Sequence, residues 1–110
     1  MQHQTKTNNL KQIKIMKGKT IYIVNFDSSY DGGVIPFEKY SDALACALTK
    51  MNEFENEVDC DEEWISKKIL QQEMVSNNNS ISHTPFRARV DADNSEEDYL
   101  YVEIAKETIQ

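Results

Sequence analysis

The sequence predicts a single α+β domain in the order β-β-α-α-β-β, an antiparallel or mixed sheet with two helices packed on one face. Three observations predict it. Residues 20–26 and 99–104 are runs of β-branched and aromatic side chains, residues 44–54 place apolar side chains at helical spacing, and residues 64–75 carry a second apolar set. Strands that flank a helical pair in this way suggest helices gathered on one side of a sheet.

Each element has its own local reason. Thr20–Phe26 (TIYIVNF) is apolar on both faces, at Ile21/Ile23 and at Tyr22/Val24/Phe26, which predicts a strand in a central position. Asp27–Gly33 (DSSYDGG) is turn chemistry, and its two glycines allow positive φ. Val34–Phe37 returns as the hairpin partner, and Pro36, with no amide donor, places it at an edge. Ser41 is the expected N-cap of the first helix, and Asp42 in its first turn suits the positive end of the helix dipole. Leu44, Ala47, Leu48, Met51 and Phe54 form the stripe that faces the sheet, and the small Ala43, Ala45 and Cys46 permit close approach.

The second helix is expected from Asp59 or Asp61 onward, carrying Trp64, Ile65, Ile69, Leu70, Met74 and Val75. These positions wrap widely around a helix axis, which suggests contact with a second surface. Asn77–Thr84 is a polar connector that ends at Pro85. Phe86, Ala88 and Val90 alternate with Arg87, Arg89 and Asp91, the pattern of a half-buried strand. Leu100, Val102 and Ile104 alternate with Tyr99, Tyr101 and Glu103, and a hairpin joins the two strands across the acidic loop 91–98.

The 110 residues allow one domain, with 1–15 as a basic, flexible N-terminal arm and 16–110 as the folded, acidic part. Net charge is −7, and the distribution is lopsided. Residues 1–19 hold five lysines and no acid, so residues 20–110 hold seven bases against 19 acids, a net of −12. That sign opposes direct nucleic-acid binding by the folded part. No apolar run reaches the ~18–20 residues a membrane span needs, and the polar N-terminus lacks the apolar core of a secretory signal. Cys46 and Cys60 are not a close pair, and they read as reduced thiols in a cytoplasmic protein.

Catalytic signatures are absent from the sequence. The two histidines, His3 and His83, fall in the arm and in the connector, and neither sits in a recognisable nucleophile–base pattern. No metal site and no cofactor are expected, because the cysteines and histidines lack the paired spacings of zinc ligands. Asp91, Asp93 and Ser95 match the first positions of a calcium loop, but Glu96 stands where glycine is needed and Val102 where a bidentate Glu is needed. The glycines fit neither phosphate-loop spacing.

The acids themselves are the main functional signal. Seven fall in residues 53–63 (Glu53, Glu55, Glu57, Asp59, Asp61, Glu62, Glu63) and five in residues 91–98 (Asp91, Asp93, Glu96, Glu97, Asp98). Brought together, they would form a negative patch that attracts a basic protein. The expected function is therefore a non-enzymatic binding protein that neutralises such a partner. By size and charge, an immunity protein or a phage-type inhibitor of a nuclease or nucleic-acid-binding effector fits. A second reading is a homo-oligomer or accessory subunit assembling through the second helix at Trp64, Ile65, Ile69, Leu70 and Met74. A third is a small enzyme using clustered carboxylates and a divalent ion.

Overall fold

The computed structural model describes residues 18–58, 61–77, 79–92 and 98–108. The N-terminal arm expected at 1–15 lies outside the described residues. Among those described, one helix lies on a sheet of five strands, and the element order is β-β-α-β-β-β. The strands are β1 (Thr20–Ser28), β2 (Gly32–Phe37), β3 (Ile65–Gln72), β4 (Phe86–Ala92) and β5 (Asp98–Thr108). They are arranged β2-β1-β5-β4-β3, and every neighbouring pair is antiparallel. β1 and β2 form one hairpin, and β4 and β5 form another.

The expected β-β-α-α-β-β order with two helices is overturned. The predicted second helix is instead a short 3₁₀ turn, Glu62–Trp64, followed by the edge strand β3. Two physical reasons account for the difference. Apolar side chains that wrap all round an axis give a helix no single stripe to bury, whereas an edge strand needs only one half-covered face. Between Ile69 and Gln71 the pairing with β4 shifts by one residue, a β-bulge that inserts Leu70. That extra residue breaks the two-residue alternation by which a strand is recognised.

The surviving helix, α1 (Tyr40–Glu57), begins one residue before the expected cap. Lys39 is the N-cap and makes no side-chain cap bond, so Ser41 is an exposed first-turn residue rather than the cap. The first helical bond runs from the Ala43 amide to the Lys39 carbonyl at 3.1 Å, and the Val58 amide closes the far end on Phe54. The face turned to the sheet is Tyr40, Ala43, Ala47, Met51 and Phe54, with Leu44 partly covered. Leu48 lies beside this stripe and is exposed.

Ala43 and Ala47 are fully buried, and only side chains this small let the helix backbone come down onto the strands. Met51 and Phe54 bring the larger apolar surfaces, each worth about 1.5–3 kcal/mol when buried. Beneath them lie Tyr22 and Val24 of β1, Leu100, Val102 and Ile104 of β5, and Phe86, Ala88, Val90 and Ala92 of β4. The helix therefore covers the middle of the sheet. Its contacts concentrate on β1 and β5 and leave the outer strand β3 largely uncovered.

Helix direction follows from two ring contacts. Tyr40 meets Tyr22 edge-on at 5.5 Å near the start of β1, and Phe54 meets Tyr30 at 5.9 Å just beyond its end. Thus α1 runs in the same sense as β1 and delivers its C-terminus to the end of the sheet that holds the β1–β2 turn. No helix among the described residues is long and apolar enough to cross a membrane.

Candidate functional site: the acidic end of the sheet

Antiparallel pairing decides which acids share a neighbourhood. In register, Ile65 lies beside Ala92 and Ala92 beside Asp98, so the 3₁₀ turn before β3 and the start of β5 are at the same end of the sheet. Ser28 pairs with Leu100, which brings the β1–β2 turn there too. The C-terminal half of α1 arrives from above. Glu53, Glu57, Asp61, Glu62, Glu63 and Asp98 are therefore carried by elements that end on the same side of the sheet.

The remaining acids of the two segments divide differently. Asp59, Asp93, Glu96 and Glu97 lie outside the described residues. Glu55 is drawn to the side of the helix, where Lys67 of β3 meets its carboxylate at 2.6 Å. Asp91 points from β4 toward its neighbour Arg89, with both carboxylate oxygens 3.0 Å from Nε. Glu53 has a looser partner in Lys50 at 3.8 Å. Glu57, Asp61, Glu62 and Glu63 are exposed and have no salt bridge among the described residues.

A shallow cleft gives this end its shape. It is lined by Phe26 and Ser28 of β1, Asp31 of the turn, Lys50, Glu53, Phe54 and Glu57 of α1, and Leu100 of β5. Asp31, Glu53 and Glu57 line it together with Lys50, whose Nζ sits 4.5 Å over the centre of the Phe26 ring. The place over the aromatic floor is taken by the chain's own Lys50, and the remaining cavity, about 40 Å³, has room for little more than a water molecule.

Sequence reasoning missed Asp31, Tyr30, Phe26 and Lys50 as members of this site. Asp31 was visible only as turn chemistry, and it performs that role: Ser28 Oγ donates to the Asp31 carbonyl at 2.9 Å and accepts from the Tyr30 and Asp31 amides. Tyr30 Oη donates to Asp98 at 2.8 Å, which ties the β1–β2 turn to the start of β5. Only the pairing of β1 with β5, invisible in any local pattern, brings these residues to the acidic segments.

Over β4 and β5 the sheet face away from α1 is polar, whereas β1 adds Ile21 and Ile23 to that face. Tyr99 Oη donates to Asp27 at 3.2 Å, a bond that holds the phenol protonated and raises its pKa. Tyr101 Oη donates to Glu103 at 3.1 Å, and the Arg89 guanidinium stacks 5.2 Å over the Tyr99 ring. Arg87 and Arg89, the bases with the best strand placement for phosphate contact, share this face with Asp27, Asp91 and Glu103.

Other chemistry-bearing groups stay apart. Cys46 is a free, half-buried thiol whose pKa is pushed up by burial, against a smaller opposing pull from Lys50, which keeps it un-ionised and a poor nucleophile. Cys60 lies outside the described residues. No group of three or more His, Cys, Asp and Glu side chains among the described residues is placed to hold a metal ion. No family model, no curated protein and no solved structure matches this chain.

Proposed function

We propose that this chain is a small non-enzymatic binding protein whose acidic end captures a basic protein. The observation that carries the reading is the meeting of three acidic elements at one end of the sheet. They are the C-terminal turns of α1, the 61–63 segment and the start of β5, and the first of these lines a cleft with Phe26 and Asp31. Carboxylates that are exposed and have no salt bridge among the described residues are those available to a partner, and Glu57, Asp61, Glu62 and Glu63 have that character.

Long-range attraction of this kind speeds encounter and fades with salt, because exposed charges are screened beyond about 8 Å at physiological ionic strength. The partner class that fits is a phosphate-gripping protein, such as a nuclease or nucleic-acid-binding effector, whose basic surface the acidic end would cover. An immunity protein or a phage-type inhibitor acts in this way. The test is affinity capture with the immobilised chain from its native host at low and high salt, followed by assay of the recovered protein for nuclease activity. Recovery of one basic protein, lost at high salt and inhibited by the added chain, is expected. Failure to recover a basic protein at low salt would overturn the reading.

A further inference from the structure

We infer that residues 10–17, the part of the basic N-terminal segment next to the sheet, fold back at Gly18 and cover β1 on the sheet face turned away from α1. The inference is independent of the acidic end. It starts from Ile21, which is only 5% exposed and yet lies outside the core cluster. Tyr22 and Val24 face α1, so Ile21 and Ile23, which alternate with them along the strand, stand on the other face. Register sets Ile21 beside Glu107 of β5, and Ile23 between Ala105 of β5 and the exposed Pro36 of β2. Neither α1 nor the connector after β3 covers this face. In the connector, Ser80 bonds Tyr22, and its carbonyl accepts from the Lys106 ammonium at 2.6 Å; Lys106 pairs with Tyr22, on the helix side. A buried isoleucine on this face calls for a cover from another part of the chain.

The segment before β1, which lies outside the described residues, has the position, the direction and the composition to supply it. Both edges of β1 are taken, by β2 and β5, so the preceding chain can meet this strand only across a face. Gly18 lies in a turn with φ 81°, a left-handed conformation that glycine adopts without strain and that lets the chain double back. Residues 10–17 read LKQIKIMK. Ile13 and Ile15 are two apart, so in extended chain they share one face and Lys14 takes the other. Ile15 precedes Gly18 by as many residues as Ile21 follows it, and Ile13 by as many as Ile23 follows it. Each arm of the nearer pair is about 10 Å of extended chain, so a reversal at Gly18 brings isoleucine over isoleucine.

Charges agree with this placement. Residues 10–17 carry Lys11, Lys14 and Lys17 and no acid, while β5 sets Glu103 and Glu107 on the same face as Ile21 and Ile23. Glu107, beside Ile21, is exposed and has no salt bridge among the described residues. Arg87, the base opposite Glu103, belongs to β4, one strand further from β1.

Methyl nuclear Overhauser spectra and limited trypsin digestion of the full chain test this. Contacts are expected between the methyls of Ile13 or Ile15 and those of Ile21 or Ile23. Cleavage after Lys11 and Lys14 should be roughly tenfold or more slower than in a synthetic peptide of residues 8–20, and equally slow at every chain concentration. Ile15→Ser, which removes an apolar contact, should restore most of the peptide rate and lower the melting temperature. Thr7→Ala, outside the docked stretch, should change neither. Gly18→Ala should also speed cleavage, through the backbone alone, because a Cβ there meets nothing within 4 Å. Peptide-like cleavage of the parent, absence of the methyl contacts, or an Ile15→Ser protein that melts and cleaves like the parent would overturn the inference. Protection that vanishes on dilution would overturn it as well and assign the face to a second copy. None of these measurements involves a basic partner, so failure here leaves the acidic-end proposal standing.

Discussion

Replacing Tyr40 by Phe should stabilise the protein. Tyr40 is 8% exposed, and its hydroxyl is buried with no hydrogen-bond partner among the described residues. Burial, with Glu73 and Tyr22 nearby, raises the pKa of this phenol, so the group is a neutral hydroxyl. A buried, unsatisfied donor costs about 1–3 kcal/mol. Phenylalanine removes that cost and keeps the edge-on contact with Tyr22, because only the oxygen is lost. Each kcal/mol moves the midpoint of a domain this size by about 4 °C, so the melting temperature should rise by about 4–12 °C.

The neighbouring tyrosine supplies a control of opposite sign. Tyr22 is fully buried but shares a side-chain hydrogen bond with Ser80. Tyr22→Phe should therefore destabilise by about 0.5–1.5 kcal/mol. Both variants are read by urea and thermal unfolding, with the denaturant slope checked for constancy. A Tyr40→Phe protein less stable than the parent, or two variants that shift the same way, would refute the assignment of the two hydroxyls.

Three further outcomes are expected. Glu73 accepts bonds from the Ser82 hydroxyl and the Ile81 and Ser82 amides, which hold its carboxyl below its ordinary 4.5; the stability it contributes is present above that value and lost as pH falls through the lower folded-state one. Thermal melts of the parent against Glu73→Gln should accordingly converge toward acid pH. Gly33→Ala should cost about 1–3 kcal/mol by overpacking, because a Cβ there would meet the Phe26 ring at 3.0 Å, and the loss should be smaller when Phe26 is also replaced by Leu. Lys50→Met removes the cation that lines the acidic cleft among the described residues; titration calorimetry should show tighter binding of the basic partner at low salt, and weaker binding would count against the cleft as the contact.

The parts legible in the sequence were those whose pattern is local. Phe86, Ala88 and Val90, like Leu100, Val102 and Ile104, alternate cleanly and are all buried on the helix side. The stripe through Ala47, Met51 and Phe54 marks the helix, and Pro36 marks the edge strand. Residues 64–75 resisted because Ile65 and Ile69 are spaced as on a helix and the bulge at Leu70 hides the strand period. Only knowing that α1 covers β1 and β5 but not β3 explains why so many apolar residues there have no stripe.

For the site, the acids were obvious and their company was not. Glu55 and Asp91 could be withdrawn from the patch only once Lys67 and Arg89 were seen beside them. The cleft itself depends on β1 lying next to β5, a partnership between segments about as far apart in the chain as the fold allows.

That partnership also governs how the protein comes into being. Thr20 pairs with Thr108, and Tyr22 through Ser28 are matched residue by residue to Lys106 through Leu100. Until β5 has emerged from the ribosome, β1 has only its hairpin partner β2, α1 lacks half its floor, and β4 has no inner neighbour. Folding must therefore await β5, whose pairing with β1 closes a long loop, a topology that slows folding. Loss of the last four residues of β5 would strip Thr20 to Ile23 of their inner partners, on the strand that carries Tyr22 into the core.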